Sequence, residues 1–190
     1  MRVLSLIVLT GTGLLLAGCA TPAAQNTTGT APANVRIATS SSVAQASANL
    51  TSASGSLASG RMVLVPMGDG VHVTGEVGGL SRNGVHAFHI HEHGDCSAAD
   101  ASSAGGHFNP KAQPHGRAGH GPHHLGDADN LRADANGVAR VDAHFSGVVL
   151  GGDAANNVIG KAIVVHAAPD DYQSQPAGNA GARIACGVIR

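Results

Sequence analysis

Tryptophan is absent, tyrosine occurs once (Tyr172) and phenylalanine three times (Phe88, Phe108, Phe145), so aromatic rings cannot fill a core. Val, Ile, Leu and Ala must do it instead. Charged side chains make up 12% of the 190 residues, about half the usual share. The net charge of −1 leaves no basic excess, which excludes a nucleic-acid partner, because such binding rests on neutralising phosphates. No segment keeps a helical period, and no apolar run is long enough for a stable membrane-spanning helix. Cysteine is down to three. Against these shortages stand 27 glycines, which call for many turns, and 12 histidines, more than the 11 lysines and arginines together. Histidine is the commonest metal ligand and the side chain that titrates near neutral pH.

The chain length suits one domain with an appendage. Met1-Arg2 and the apolar run Val3 to Leu16, ending Leu16-Ala17-Gly18-Cys19, have the order of an export signal. The last four residues resemble a bacterial lipoprotein signal, which predicts removal of residues 1–18 and a lipid on Cys19. An ordinary signal peptide that happens to contain Cys19 is the alternative. The expected location is the periplasm or cell envelope, with the membrane touched only through that lipid. Ala20 stands where an aspartate would retain the protein at the inner membrane, which favours the outer one. Residues 19–42 are mostly Ala, Thr, Ser, Gln, Asn and Pro, with Arg36 the only charge, a composition that reads as a flexible tether. The domain is expected at 43–190.

Within it, short alternating segments are separated by Gly, Asn and Asp turns. Arg61–Pro66 and Val71–Val77 flank Met67-Gly-Asp-Gly70 and predict a β-hairpin. Gly137–Phe145 follows a second hairpin turn at Asp134-Ala-Asn-Gly137, and Val158–His166 and Arg183–Ile189 read as further strands. The pattern predicts an all-β fold, an antiparallel barrel or sandwich of about eight strands. Two long stretches interrupt it, Glu92–Arg132 and Ala167–Ala182, and loops of that length are usually functional. With Cys19 taken by lipid, Cys96 and Cys186 remain in an oxidising compartment and read as a disulfide. Two buried thiols are the alternative.

Phe88-His89-Ile90-His91 is the sharpest local signal. On a strand His89 and His91 share a face, about 7 Å apart, and can meet one metal. An exposed pair is the bland reading, but His107, His115, His124, Asp127 and His166 follow downstream. Imidazole suits copper and zinc, and three imidazoles with a carboxylate make a tetrahedral zinc set.

Gly84-Val-His-Ala-Phe-His-Ile-His91 and Gly178-Asn-Ala-Gly-Ala-Arg-Ile-Ala-Cys-Gly-Val-Ile189 resemble the two signature stretches of the copper/zinc superoxide dismutases, the periplasmic bacterial branch above all. The resemblance runs from about residue 44 to the C-terminus and implies a Greek-key barrel. It implies one copper per subunit on His89, His91, His107 and His166, and one zinc on His107, His115, His124 and Asp127. His107 would bridge the ions, although a bound water would complete two four-ligand sites equally well on spacing alone. Asp170, rather than Asp171, matches the aspartate that links a copper ligand (His91 or His89) to the zinc ligand His115. Arg183 would orient an anion beside the open copper position, where the plain alternative is a salt-bridged strand arginine. Lys111 and Arg117 are further steering candidates. The implied reaction is disproportionation of superoxide to dioxygen and hydrogen peroxide, with His107 as a proton donor. A non-catalytic lipoprotein that buffers copper or zinc is the rival; it needs the histidines but not Arg183. His72 and His144 read as sheet residues and His86 as too early on its strand. His120 and His123 are register alternatives within the zinc loop, and His93 is either idle or an accessory metal contact. Monomer and homodimer are both open.

Overall fold

The computed structural model describes residues 35–190, so the signal segment, Cys19 and most of the tether lie outside the described residues. Nine strands follow in chain order: β1 (Ala46–Ser52), β2 (Ser59–Met67), β3 (Gly70–Gly78), β4 (Val85–His86), β5 (Phe88–His91), β6 (Leu131–Arg132), β7 (Ala139–Ser146), β8 (Ala162–His166) and β9 (Arg183–Val188). A single 3-10 turn, Ser102–Ala104, is the only helical element among the described residues. None of their helices is long and apolar enough to cross a membrane.

Seven strands form one antiparallel sheet in the order β5-β8-β9-β1-β2-β3-β7, while β4 pairs with β6. Its non-sequential neighbours, β9 beside β1 and β7 beside β3, give the Greek-key crossovers. The sheet curls, because Phe88 of β5 and Phe145 of β7, on its two outermost strands, meet with ring centroids 6.2 Å apart. The reason is visible in the alternation. Met62 and Leu64, Val71, Val73 and Val77, and Ala139, Val141 and Phe145 are buried at every second position, with Arg61, Thr74, Arg140 and Asp142 outside. A one-sided apolar face must close on itself or leave that face in water, at about 1.5–3 kcal/mol for each large side chain.

The β2–β3 hairpin turns at Gly68-Asp69, with Met67 opposite Gly70 as expected. The second turn is held by Asp134, whose Oδ1 accepts the Asn136 and Val138 N–H groups. Two strand limits differ from the expectation. The extended run starts at Ala162, not Val158, because the chain turns at 158–161 with Lys161 N–H donating to Val158 O. Leu131 and Arg132, the end of the first long loop, form β6. The composition boundary at 42/43 also falls inside a bonded stretch. Ala38 exchanges two hydrogen bonds with buried Asn156, Ala155 N–H donates to Arg36 O, and Ser41 Oγ accepts Leu150 N–H. Polar composition argues against a core but not against edge docking through backbone groups.

The two long connections, 92–130 and 167–182, leave the antiparallel pair β5 and β8 at opposite ends and meet where His115 bonds Asp170. Cys96 and Cys186 form a disulfide (Cα–Cα 5.7 Å) that ties the first loop to β9 over a small second cluster of Ala53, Ala101, Ala104, Ala162 and Val164.

Candidate metal centre

β5 is an outer strand of the sheet, and the first long loop covers its free edge. Phe108 N–H donates to Ile90 O, Ile90 N–H to Gly126 O, and Gly126 N–H to Phe108 O. This triangle draws residues 106–108 and 124–127 against His89 and His91, and it requires glycine at 126, where a Cβ would collide with the Ile90 carbonyl. His166 arrives from β8, the neighbour of β5.

Two buried groups result. His89, His91, His107 and His166 each offer an atom to a set lying within 4.8 Å of one another, and so do His107, His115, His124 and Asp127. His107 belongs to both. All seven side chains that the sequence singled out are therefore brought together, with none left over.

The donor atoms fit cations. His91 and His166 turn Nδ1–H toward the Gly105 and Gly181 carbonyls (2.9 and 3.4 Å), so their Nε2 lone pairs face each other at 3.3 Å with no proton between them. His89 Nδ1, His107 Nε2, His115 Nδ1 and His124 Nδ1 are buried without a hydrogen-bond partner. Asp127 is the anionic hub of the second group: Oδ1 accepts from His107 Nδ1 at 2.7 Å, while His115 and His124 Nδ1 lie 3.1 and 3.2 Å from its oxygens. Lone pairs converging in a dry interior are costly unless a positive ion is shared among them.

Protonation divides the two groups. Burial, with help from neighbouring imidazoles, holds His91 down at about 2 and His166 at about 3. Burial also lowers His107 to about 4, although Asp127 opposes it. Burial pulls His115 the same way, but Asp127 and Asp170 outweigh it and raise the imidazolium to about 9. For Asp127 and Asp170 burial works upward and loses to their histidine partners, so both stay well below the ordinary carboxylate range.

Asp170 links the groups, its Oδ2 accepting from His89 Nε2 and its Oδ1 from His115 Nε2, both at 2.9 Å. This settles the choice between His89 and His91, and Asp171 is turned instead to Gln173 and Ser174. Gly178 packs so closely on Asp170 that a Cβ would strike the carboxylate. Asn130 grips the Asp170 backbone from both sides (2.8 and 2.9 Å), and the Gln175 amide does the same for His115 (2.9 Å each). No local pattern could have found these two struts, since each spans 40 or more residues.

Arg183 is not the salt-bridged arginine of the plain reading. Its Nη1 donates to Ala101 O (2.7 Å) and its Nη2 to Gly105 O (2.6 Å). It lines a cavity with His91, His107 and His166, and it is the cavity's one cationic lysine or arginine, with Glu92 its one acid. Partial burial lowers its pKa, yet a guanidinium remains charged near neutrality. Neither Lys111 nor Arg117 lines that cavity, and Arg117 is paired with Asp129 at 2.7 Å.

The other histidines separate cleanly. His86 is buried between Ser81 Oγ (2.8 Å) and the His166 carbonyl (2.9 Å), so it props a member of the first group. Its place two residues before Phe88 in the motif was the available signal. His93 is exposed near Glu92, His120 is exposed, and His123 bonds its own loop at Gly121 O; none joins either group.

The family model described as copper/zinc superoxide dismutase (SODC) matches residues 58–189. Two proteins of Aquifex aeolicus (strain VF5), named superoxide dismutase (Cu-Zn) 2 and 1, are 43% and 42% identical to the chain over 134 residues. That is 69% of this chain and 78% and 79% of theirs. Among solved structures, a double mutant of a SOD-like protein from Bacillus subtilis superposes with a TM-score of 0.68 at 34% identity. The match covers 75% of this chain and 95% of that one.

Proposed function

Because the chain belongs to the copper/zinc superoxide dismutase family, we propose that it disproportionates superoxide with copper on His89, His91, His107 and His166 and zinc on His107, His115, His124 and Asp127. The reaction consumes two superoxide anions and two protons and yields dioxygen and hydrogen peroxide. Copper, when bound, supplies one-electron exchange with each superoxide in turn. The observation that carries the assignment is the pair of four-residue groups meeting at His107.

The chain's own residues do the rest. Arg183, fixed by two carbonyls, attracts a small anion into the cavity and aligns it beside His91, His107 and His166. His107 would serve as general acid at Nε2, an atom facing the copper group, while Asp127 accepts from its Nδ1 and fixes the ring. Asp170 fixes the ring orientations of His89 and His115 and ties the two sites mechanically. A metal buffer would have no use for a cation held at the cavity mouth.

The protein is, in this reading, exported and lipid-anchored through Cys19, with the periplasmic face of an outer membrane as its place. The signal-like residues 1–18 and a disulfide that needs an oxidising compartment support this.

Loaded with both metals, purified protein should remove superoxide faster than an equal amount of free copper. Arg183→Ile should lower kcat/KM about tenfold, equal to about 1.4 kcal/mol, with metal content unchanged. Activity no greater than that of free copper sinks the enzyme reading; unchanged kinetics in the variant sink the role of Arg183.

A further inference from the structure

Among the described residues six side-chain nitrogens are buried with no hydrogen-bond partner, and four of them belong to the metal centre. The other two are Nδ1 of His72 and Nδ1 of His144. These residues sit directly opposite each other on β3 and β7, on the outer face of the sheet, and belong to neither metal group. Their ring centroids are 6.5 Å apart, the same separation as His89 and His91, two rings of one metal group.

Each ring has its second nitrogen already assigned. His144 Nε2 donates to Asp69 at 2.7 Å, and His72 Nε2 lies 3.2 Å from Asp142. The carboxylates stand at opposite ends of the pair: Asp142 opposite Thr74 in the ladder, Asp69 in the turn before Gly70. The Nε2 atoms are thus drawn apart, and Nδ1 is the lone pair each ring has left to give. A ligating histidine commonly turns its other N–H to a carboxylate, which fixes the tautomer and strengthens the ligand. His72 and His144 show that arrangement twice, side by side. The side chains are 21% and 31% exposed, with the Nδ1 atoms on their buried side.

We infer that His72 and His144 form a third metal site, a two-imidazole clip on the outer face of β3 and β7 that takes copper(II) through the two Nδ1 atoms. Imidazole nitrogen binds copper(II) more tightly than the other common divalent ions, with zinc below it. Two protein ligands leave the remaining positions to water, so the ion is exchangeable and the site cannot replace the buried ones.

The full chain, loaded with one copper and one zinc, is titrated with copper(II) chloride in a weakly coordinating buffer, and bound metal is read by equilibrium dialysis. A third equivalent is expected on the wild type, with zinc content unchanged. His72→Gln and His144→Gln should each weaken its binding at least tenfold and together abolish it, leaving superoxide removal intact. Absence of a third equivalent in the wild type overturns the site, and so does its retention by the double variant. Should the double variant not fold, ring NMR signals of the wild type decide. Broadening that begins at His72 and His144 supports the clip, and broadening that begins at His93, His120 or His123 refutes it.

Discussion

His91, His107 and His166 reach the folded state neutral, while His115 reaches it charged, and the two conditions pull stability in opposite directions. A histidine whose pKa is lowered by folding, here to between about 2 and 4, binds fewer protons than in the unfolded chain. The stability it permits is present above the unfolded value near 6.5 and is lost as pH falls below it, at up to about 1.4 kcal/mol per pH unit for each group. Asp127 and Asp170, also lowered, add to the loss at more acid pH. His115 is raised to about 9, so its contribution is complete below about 6.5 and disappears as pH rises through 9. The metal-free protein should therefore be most stable near pH 6.5. Denaturant midpoints of chelator-stripped protein between pH 4.5 and 9.5 check this, and a midpoint still climbing at pH 9 contradicts it.

At the scale of elements, the long first loop is organised by three things: the backbone triangle on β5, the Asp170 link to the second loop, and the disulfide to β9. Closing about 90 residues of chain is worth on the order of 4–5 kcal/mol in the chain-entropy model. Reduction of Cys96–Cys186 should lower unfolding free energy by roughly that amount and raise hydrogen exchange in residues 92–130 before it does so in β2 and β3. Equal exchange in loop and hairpin would show that the disulfide does not hold the loop. The hairpin, the second turn, the three further strand segments and both loops were legible in the sequence because period-two burial and turn chemistry are local. Strand β1 is faint in the sequence, since two of its three inward positions are Ala46 and Ala48, small residues with little apolar or strand-forming signal. β6 hides at the end of a loop, and residues 36–42 read as tether because docking by backbone groups leaves no compositional trace. In the site, the ligand-type side chains were legible through their chemistry. Asn130, Gln175 and the prop His86 were not, because a strut is defined by what it touches across the fold.

Among the described residues, 36–42 lie against the sheet's loops, and the proposed anchor begins upstream at Cys19. In bacteria fed labelled palmitate, the wild-type chain should take up label and fractionate with membranes. Cys19→Ser should do neither, while its superoxide activity per copper is kept. Labelling that survives the substitution would place the lipid elsewhere. The metal arrangement is tested most directly by anomalous diffraction at the copper and zinc edges from crystals of the loaded protein. One copper peak should lie against His89 Nδ1 and the Nε2 atoms of His91, His107 and His166. One zinc peak should lie against Asp127 and the Nδ1 atoms of His107, His115 and His124, with the His107 ring between the two. A His107 ring that contacts only one of the ions, or a single peak serving both groups, would contradict it.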